Sequence, residues 1–352
     1  MNSMDRSVDL LLQQLRDLQG RCLIVADENW AGTHWAAVQS ASQADIHLVS
    51  NRFDIARDAK AAGLACSFND FDFSNLTSHS FDALLFRVSK ERASSHHIIN
   101  ESAQLLAANG QLLLSGEKND GVKTYVKQAC KRFGDRTNAT KNGIYYLASI
   151  TLHNPDQTPL DDKDYHQLRW IKTSTEKQYQ SKPGIFGWDK IDRGSAFLAD
   201  HLPLFLRAWN RAPESLLDLG CGYGYLACEA SQYNFTQITV TDNNAAAIAA
   251  ATANCAQLIN TDHKIIAADA GDQVEGRFGT VLCNPPFHQG FAVDGGLTEK
   301  FLSNTKRLLA PGGRALFVVN TFIPLEHKAK KYFQDIEIVA NNGSFKLIAL
   351  GH

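Results

Sequence analysis

Four polar side chains stand in or at the ends of short apolar runs in the second half of this 352-residue chain: Asp218, Asp242, Asp269 and Asn284. The first lies in LLDLGCGYGYL, which sets Gly220, Gly222 and Gly224 at a strand-to-helix turn. Glycine serves there because the backbone must take dihedrals that other residues avoid, and must admit a ligand with no Cβ in the way. The spacing departs from the dinucleotide fingerprint GxGxxG, since Tyr225 occupies the place of its last glycine. Asp242 ends the next strand about twenty residues on, where a ribose-binding carboxylate is expected. Asp269, at the end of a third strand, is placed to meet an adenine edge. No GKT or GKS triplet supplies a phosphate cradle, so an unphosphorylated adenosine with a charged tail fits better than a nucleotide. Asn284 opens NPPF, and Pro285 and Pro286 cannot donate to a sheet ladder and hold the residue before them extended. Such rigidity exceeds what a corner needs.

The elements that position these residues alternate. Strands are expected at Ser215–Leu219, Ile238–Asp242, Lys264–Asp269, Thr280–Asn284 and Arg314–Asn320, with an alanine-rich helix after Asp242 and another near Leu297–Leu309. Ile336–Val339 and Phe345–Ala349 follow as strands about the turn Asn341-Asn342-Gly343. This is an α/β pattern: a mostly parallel, doubly wound sheet with an antiparallel hairpin at one edge, whose ligands bind beyond the carboxyl ends of the strands. The first half repeats the grammar. FDALLFRVSKER and ESAQLLAANGQLLLSG parallel FGTVLCNPPFHQG and FLSNTKRLLAPGGRALFVV, but ENWAGTHW follows the strand Cys22–Asp27 where glycines would be required. The reading is a tandem duplication whose first copy lost its cofactor loop. The polar, proline-bearing stretch from His153 to Gly187 carries the boundary, giving domains 1–165 and 166–352.

Hydrophobic residues at 44% and charged residues at 20% describe a globular chain, and a net charge of −2 excludes a uniformly basic coat while allowing a local basic face. Seven scattered cysteines without a CxxC pair read as reduced core thiols, and no convincing metal-ligand set emerges. With no signal-peptide core in MNSMDRSVDLLLQQL and no long apolar run, a cytoplasmic protein off the membrane is expected.

DLGCGYG, the strand-end acids and NPPF together resemble the class I S-adenosylmethionine-dependent methyltransferases that act on planar nitrogens. The resemblance implies two tandem Rossmann-like domains, the N-terminal one degenerate, with S-adenosylmethionine as cofactor. It implies that Gly220, Gly222 and Gly224 line the methionine and ribose, Asp218 helps to hold the amino-acid end, Asp242 the ribose hydroxyls and Asp269 the adenine amine. An exocyclic base amine is a poor nucleophile because its lone pair is delocalised into the ring. The Asn284 side-chain carbonyl and the Pro285 backbone carbonyl can accept its hydrogens and free that lone pair, and Phe287 can stack on a flipped base.

KPGIFGWDKIDRGS, NPPFHQG and LLLSGEKNDGVK resemble, over nearly the whole chain, the bacterial small-subunit ribosomal RNA guanine-N2 methyltransferases of the C type. In that family only the second domain binds the cofactor, while the first supports folding and presents RNA. The family's arginine in this segment is absent, and Lys190 or Arg193 could substitute for it. The expected activity is methylation of a guanine N2 in 16S ribosomal RNA of the small subunit, by a monomer. Alternatives are a large-subunit guanine-N2 enzyme, a protein-glutamine or adenine-N6 methyltransferase, and a non-catalytic RNA-binding assembly factor. His288 and Trp188 are candidate substrate contacts, with Lys90 and Lys118 as phosphate contacts in the first domain. Phe186 is expected to be buried at least as readily as stacked on a base.

Overall fold

The structure, a computed structural model, describes residues 5–154, 158–171, 173, 177–207, 213–286 and 295–351. The chain divides into two compact units, Met1–Gln167 and Leu168–His352.

The first unit holds strands β1 (Arg21–Ala26), β2 (Asp45–Ser50), β3 (Ala65–Phe68), β4 (Phe81–Arg87), β5 (Leu106–Glu117), β6 (Thr140–Asn142) and β7 (Tyr145–Thr151). Helices α1 (Arg6–Leu15), α2 (Trp35–Ala41), α3 (Phe53–Ala61), α4 (Arg92–Leu105) and α5 (Val122–Phe133) cover it. In the second unit a two-stranded ribbon of β8 (Arg169–Trp170) and β9 (Gln180–Ser181) comes before α6 (Arg193–Leu206). Its sheet is built from β10 (Ser215–Leu219), β11 (Gln237–Asp242), β12 (Asp262–Ala267), β13 (Phe278–Cys283), β14 (Leu309–Asn320), β15 (Asp335–Asn341) and β16 (Phe345–Gly351). Helices α7 (Tyr225–Ala230), α8 (Ala245–Leu258), α9 (Gly295–Leu308) and α10 (Leu325–Ala329) lie between them.

The sheet orders are β3-β2-β1-β4-β5-β7-β6 and β12-β11-β10-β13-β14-β16-β15, one topology built twice. In each sheet the first five strands of the order run parallel, β7 and β16 alone run against them, and the edge strands β6 and β15 pair antiparallel with those two and so run with the five. The central strands are apolar almost throughout because both faces are covered, as in Leu216, Leu217, Val281 and Leu282, each with no exposed surface.

Duplication reaches the irregularities. Pro311-Gly312-Gly313, just before the strand expected at Arg314–Asn320, lies inside β14, where a bulge carries the pairing from Phe278↔Leu309 to Thr280↔Arg314. The same bulge carries Phe81↔Leu106 to Ala83↔Gln111 in the first unit. Gly312 sits at φ 72° and its counterpart Asn109 at φ 63°; asparagine is one of the few residues that tolerates this left-handed region. A Cβ on Gly313 would lie 2.9 Å from the Phe278 carbonyl oxygen, so only glycine fits. The third strand of the second unit ends at Ala267, two residues before Asp269, as Ala270 turns into positive φ.

Candidate cofactor and methyl-acceptor site

Laying one register over the other shows what distinguishes the units. Counting from the equivalent positions Leu216, which pairs with Thr280, and Cys22, which pairs with Ala83, the first unit sets Ala26, Glu28 and Trp30 where the second has Gly220, Gly222 and Gly224. Trp30 is fully buried and stacks on Trp35 with ring centroids 5.9 Å apart. Ser50 stands in place of Asp242, and Arg87 in place of Asn284. The first unit has filled its loop with indole.

In the second unit all three loop glycines have positive φ: 78° at Gly220, 54° at Gly222 and 85° at Gly224. They differ in their surroundings. A Cβ on Gly224 would lie 3.4 Å from Ala251 and 3.5 Å from the Cys255 sulfur, so this glycine lets α7 approach α8. A Cβ on Gly222 would meet nothing within 4 Å, so here the backbone borders open space. Asp242 fixes the loop: its Oδ2 accepts from the Gly222 N–H at 2.9 Å and its Oδ1 from the Asn244 N–H at 2.9 Å.

Asp218 lies beneath the loop and is fully buried. Its Oδ2 accepts from the Ala227 N–H at 2.9 Å, while its Oδ1 is buried with no protein partner. Burial, opposed by that hydrogen bond and reinforced by the charge of Asp242, raises its carboxyl to about 7. Burial, then Asp242, pushes the Cys221 thiol well up, and burial, then Asp218, does the same for Cys283. All seven cysteines are free. Asp269 is 6% exposed and its carboxylate is paired with the ammonium of Lys300 on α9, a partner that the sequence pattern gave no sign of.

Asn284 follows β13 directly, half-buried, with Pro285 buried and Pro286 exposed. Its Nδ2 donates to Asp192 Oδ1 and to Ser195 Oγ, both at 2.8 Å. Both acceptors belong to the start of α6, and the sequence reading had assigned neither of them a role. Phe287 and His288 lie outside the described residues.

The segment from Lys182 to Ser195 is tied to three rim loops. The Gly184 carbonyl accepts from Asn244 Nδ2 at 2.7 Å, the Lys190 carbonyl from the Tyr223 hydroxyl at 3.3 Å, and Asp192 from Asn284. Gly184, at φ 96°, makes the turn that this path needs. Asn254, fully buried on α8, anchors the segment's base by donating to the Gln180 and Tyr223 carbonyls. Trp188 is half-buried against the core of the unit, with the Arg169 guanidinium 5.5 Å from its ring centre. Phe186 is 68% exposed, so the expectation that it is readily buried is corrected: the turn between Gly184 and Gly187 carries it outward.

In the first unit Lys90 and Lys118 are exposed beyond the carboxyl ends of the paired strands β4 and β5. Lys118 lines a cleft of about 310 Å³ with Asn119, Lys141, Ile144 and Tyr146, and Lys123 Nζ lies 4.6 Å from the Tyr146 ring centre.

Residues 176–349 match the family model Methyltransferase small domain, and residues 8–154 match Methyltransferase small domain N-terminal. The Ribosomal RNA small subunit methyltransferase C of Shewanella amazonensis is 25% identical over 343 residues, 97% of each chain. That of Pseudomonas entomophila is 28% identical over 270 residues, covering 76% of this chain and 78% of its own. Among solved structures, the Thermus thermophilus 16S rRNA N2 G1207 methyltransferase in complex with AdoMet and guanosine superimposes with a TM-score of 0.84 at 20% identity, covering 99% of this chain and 92% of that one, and so shares the fold. With both models matched in tandem across residues 8–349, the chain belongs to the methyltransferase small domain family, and the relatives that align with it almost end to end are ribosomal RNA small subunit methyltransferases C.

Proposed function

We propose that this protein transfers a methyl group from S-adenosylmethionine to the exocyclic N2 of a guanine in 16S ribosomal RNA, acting in the cytoplasm as a monomer on the small subunit. The family supplies the reaction, and the observation that carries the chemistry is the hydrogen bonding of Asn284. Both of its amide hydrogens are donated, to Asp192 and Ser195, so the group left to meet a target amine is its carbonyl oxygen. That oxygen and the Pro285 carbonyl are acceptors for the two hydrogens of the guanine amine. Accepting them draws the nitrogen towards tetrahedral geometry and frees its lone pair.

The residues around the glycine loop fit the cofactor. Gly222 offers backbone against open space, Asp242 is a carboxylate held at the rim where ribose hydroxyls would donate, and Asp218 has a buried oxygen without a partner. When bound, S-adenosylmethionine supplies a sulfonium methyl: the new N–C bond forms as the C–S bond breaks, sulfur keeps the electron pair, and the alkylated nitrogen gives up a proton to water. No strong general base is required. Lys90 and Lys118, the latter with the cleft it lines, serve as phosphate contacts in the first unit, and Trp188 as a contact for the target strand.

The test is transfer of labelled methyl to unmodified small and large ribosomal subunits separately, with nucleoside digestion and mass analysis. N2-methylguanosine from the small subunit is expected. The same nucleoside from the large subunit alone, or label in protein, would overturn the substrate assignment.

A further inference from the structure

We propose that Asp192 and Ser195 are positioning residues for methyl transfer, acting through Asn284: they fix which way its amide faces and strengthen its oxygen as an acceptor. The inference rests on the function proposed above and adds to it two residues at the start of α6.

An asparagine amide is nearly symmetric in shape, and nothing in an NPPF segment itself decides which end faces a ligand. Turned the wrong way, Asn284 would present hydrogens to the hydrogens of the target amine. Here the choice is made by hydrogen bonding. Its Nδ2 has two hydrogens and two acceptors, Asp192 Oδ1 and Ser195 Oγ, each at 2.8 Å. Reversal would set the Asn284 carbonyl against a carboxylate.

The acceptors are themselves held. Asp192 caps α6, its Oδ1 accepting from the Ser195 N–H at 2.8 Å, so one carboxylate oxygen fixes both the helix start and the asparagine. A Cβ on Gly194 would lie 3.1 Å from that oxygen, and glycine leaves it room. An anion that draws on the amide N–H also shifts electron density onto the amide carbonyl, which makes Oδ1 a better acceptor for the amine hydrogens.

The first unit provides an independent observation of the same frame. There the helix-capping aspartate is Asp5, and Arg87, at the register of Asn284, donates to it from Nε at 3.0 Å. A helix-cap aspartate gripping the side chain at the end of the fourth strand is thus built into both copies. Only in the second does it grip an amide.

Asp192→Asn keeps the size and the capping ability while removing the charge, and Ser195→Ala removes one acceptor. Each is expected to lower kcat on unmodified small subunits about tenfold or more. Affinity for S-adenosylhomocysteine, measured by calorimetry, should stay within about twofold in both. Ser195→Thr, which restores the hydroxyl, should recover most of the loss. In an Asn284→Ala background, Asp192→Asn should add little, because the residue it acts through is gone. The side-chain amide protons of Asn284, assigned by their disappearance in N284A, should move upfield in D192N. Unchanged kcat in D192N and S195A, losses fully additive with N284A, or amide protons that do not move would overturn the positioning role. Wild-type protein that methylates no guanine would instead overturn the function on which it rests.

Discussion

Asp5 and Arg87 of the first unit stand in the same relation as Asp192 and Asn284 of the second, a helix-capping carboxylate holding the side chain at the end of the fourth strand. Arg87 is 4% exposed and also reaches Asp120 at 2.7 Å, so two carboxylates and one guanidinium fill a position where the second unit keeps an amide. The first unit therefore has ion pairing where the second has a hydrogen-bonded amide.

Replacing Arg87 tests this. Arg87→Asn leaves Asp5 and Asp120 without their cation, and removal of one partner from a buried pair costs about 3–5 kcal/mol. Denaturant unfolding should show that loss, while S-adenosylhomocysteine affinity, which the proposed site places in the second unit, should stay unchanged. An R87N chain as stable as the wild type would show that the network does not support the fold.

Asn284→Ala removes the acceptor oxygen and leaves the glycine loop untouched. The expected result is a fall in kcat of about 10²–10³, comparable to loss of one preorganised group in an oxyanion site, with cofactor affinity nearly intact. Steady-state kinetics beside calorimetry separate the two. Comparable turnover in N284A would remove Asn284 from the transfer step.

Two glycines of the loop should fail differently. Gly222→Ala puts a methyl into open space at φ 54°, where strain is about 1–2 kcal/mol, and should weaken S-adenosylhomocysteine binding by about tenfold or more. Gly224→Ala, at φ 85° and against Ala251 and Cys255, should instead lower the unfolding midpoint. Paired calorimetry and thermal unfolding of both variants check this, and a reversed pattern would mean that Gly222 does not face the cofactor.

Asp218 gives the second unit a pH dependence. Its carboxyl is raised from an ordinary 3.8 to about 7, so the folded chain holds the proton more tightly than the unfolded one. Its favourable contribution is complete below about pH 4 and is lost as pH rises through about 7, at a rate of at most about 1.4 kcal/mol per unit. Asp218→Asn can still accept from the Ala227 N–H and does not titrate, so its stability relative to wild type should grow between pH 5 and pH 8. Denaturation curves at the two pH values measure the difference; a constant difference would mean that Asp218 ionises as an ordinary carboxylate.

The glycine loop, the acids at the strand ends and the duplicated fold could all be read from the sequence, because each lies in a contiguous pattern of apolar run and turn. What could not be read is tertiary. Asp192 and Ser195 lie 92 and 89 residues from Asn284, and DRGS is also what an ordinary helix start looks like. Lys300 is one cation on a polar helix until the fold lays it against Asp269. Phe186 was misread because an aromatic between two glycines carries no sign of which way it points, and backbone dihedrals settle that.

The short stretch from Lys182 to Ser195 is fastened beside Asp242, at the glycine loop and at Asn284. One piece of chain thus shares its freedom of movement among the places where two different molecules would sit. Whatever ordering the first guest imposes on that stretch need not be imposed again by the second. By thermodynamic reciprocity, the help that the cofactor gives the RNA in binding is matched, factor for factor, by the help that the RNA gives the cofactor.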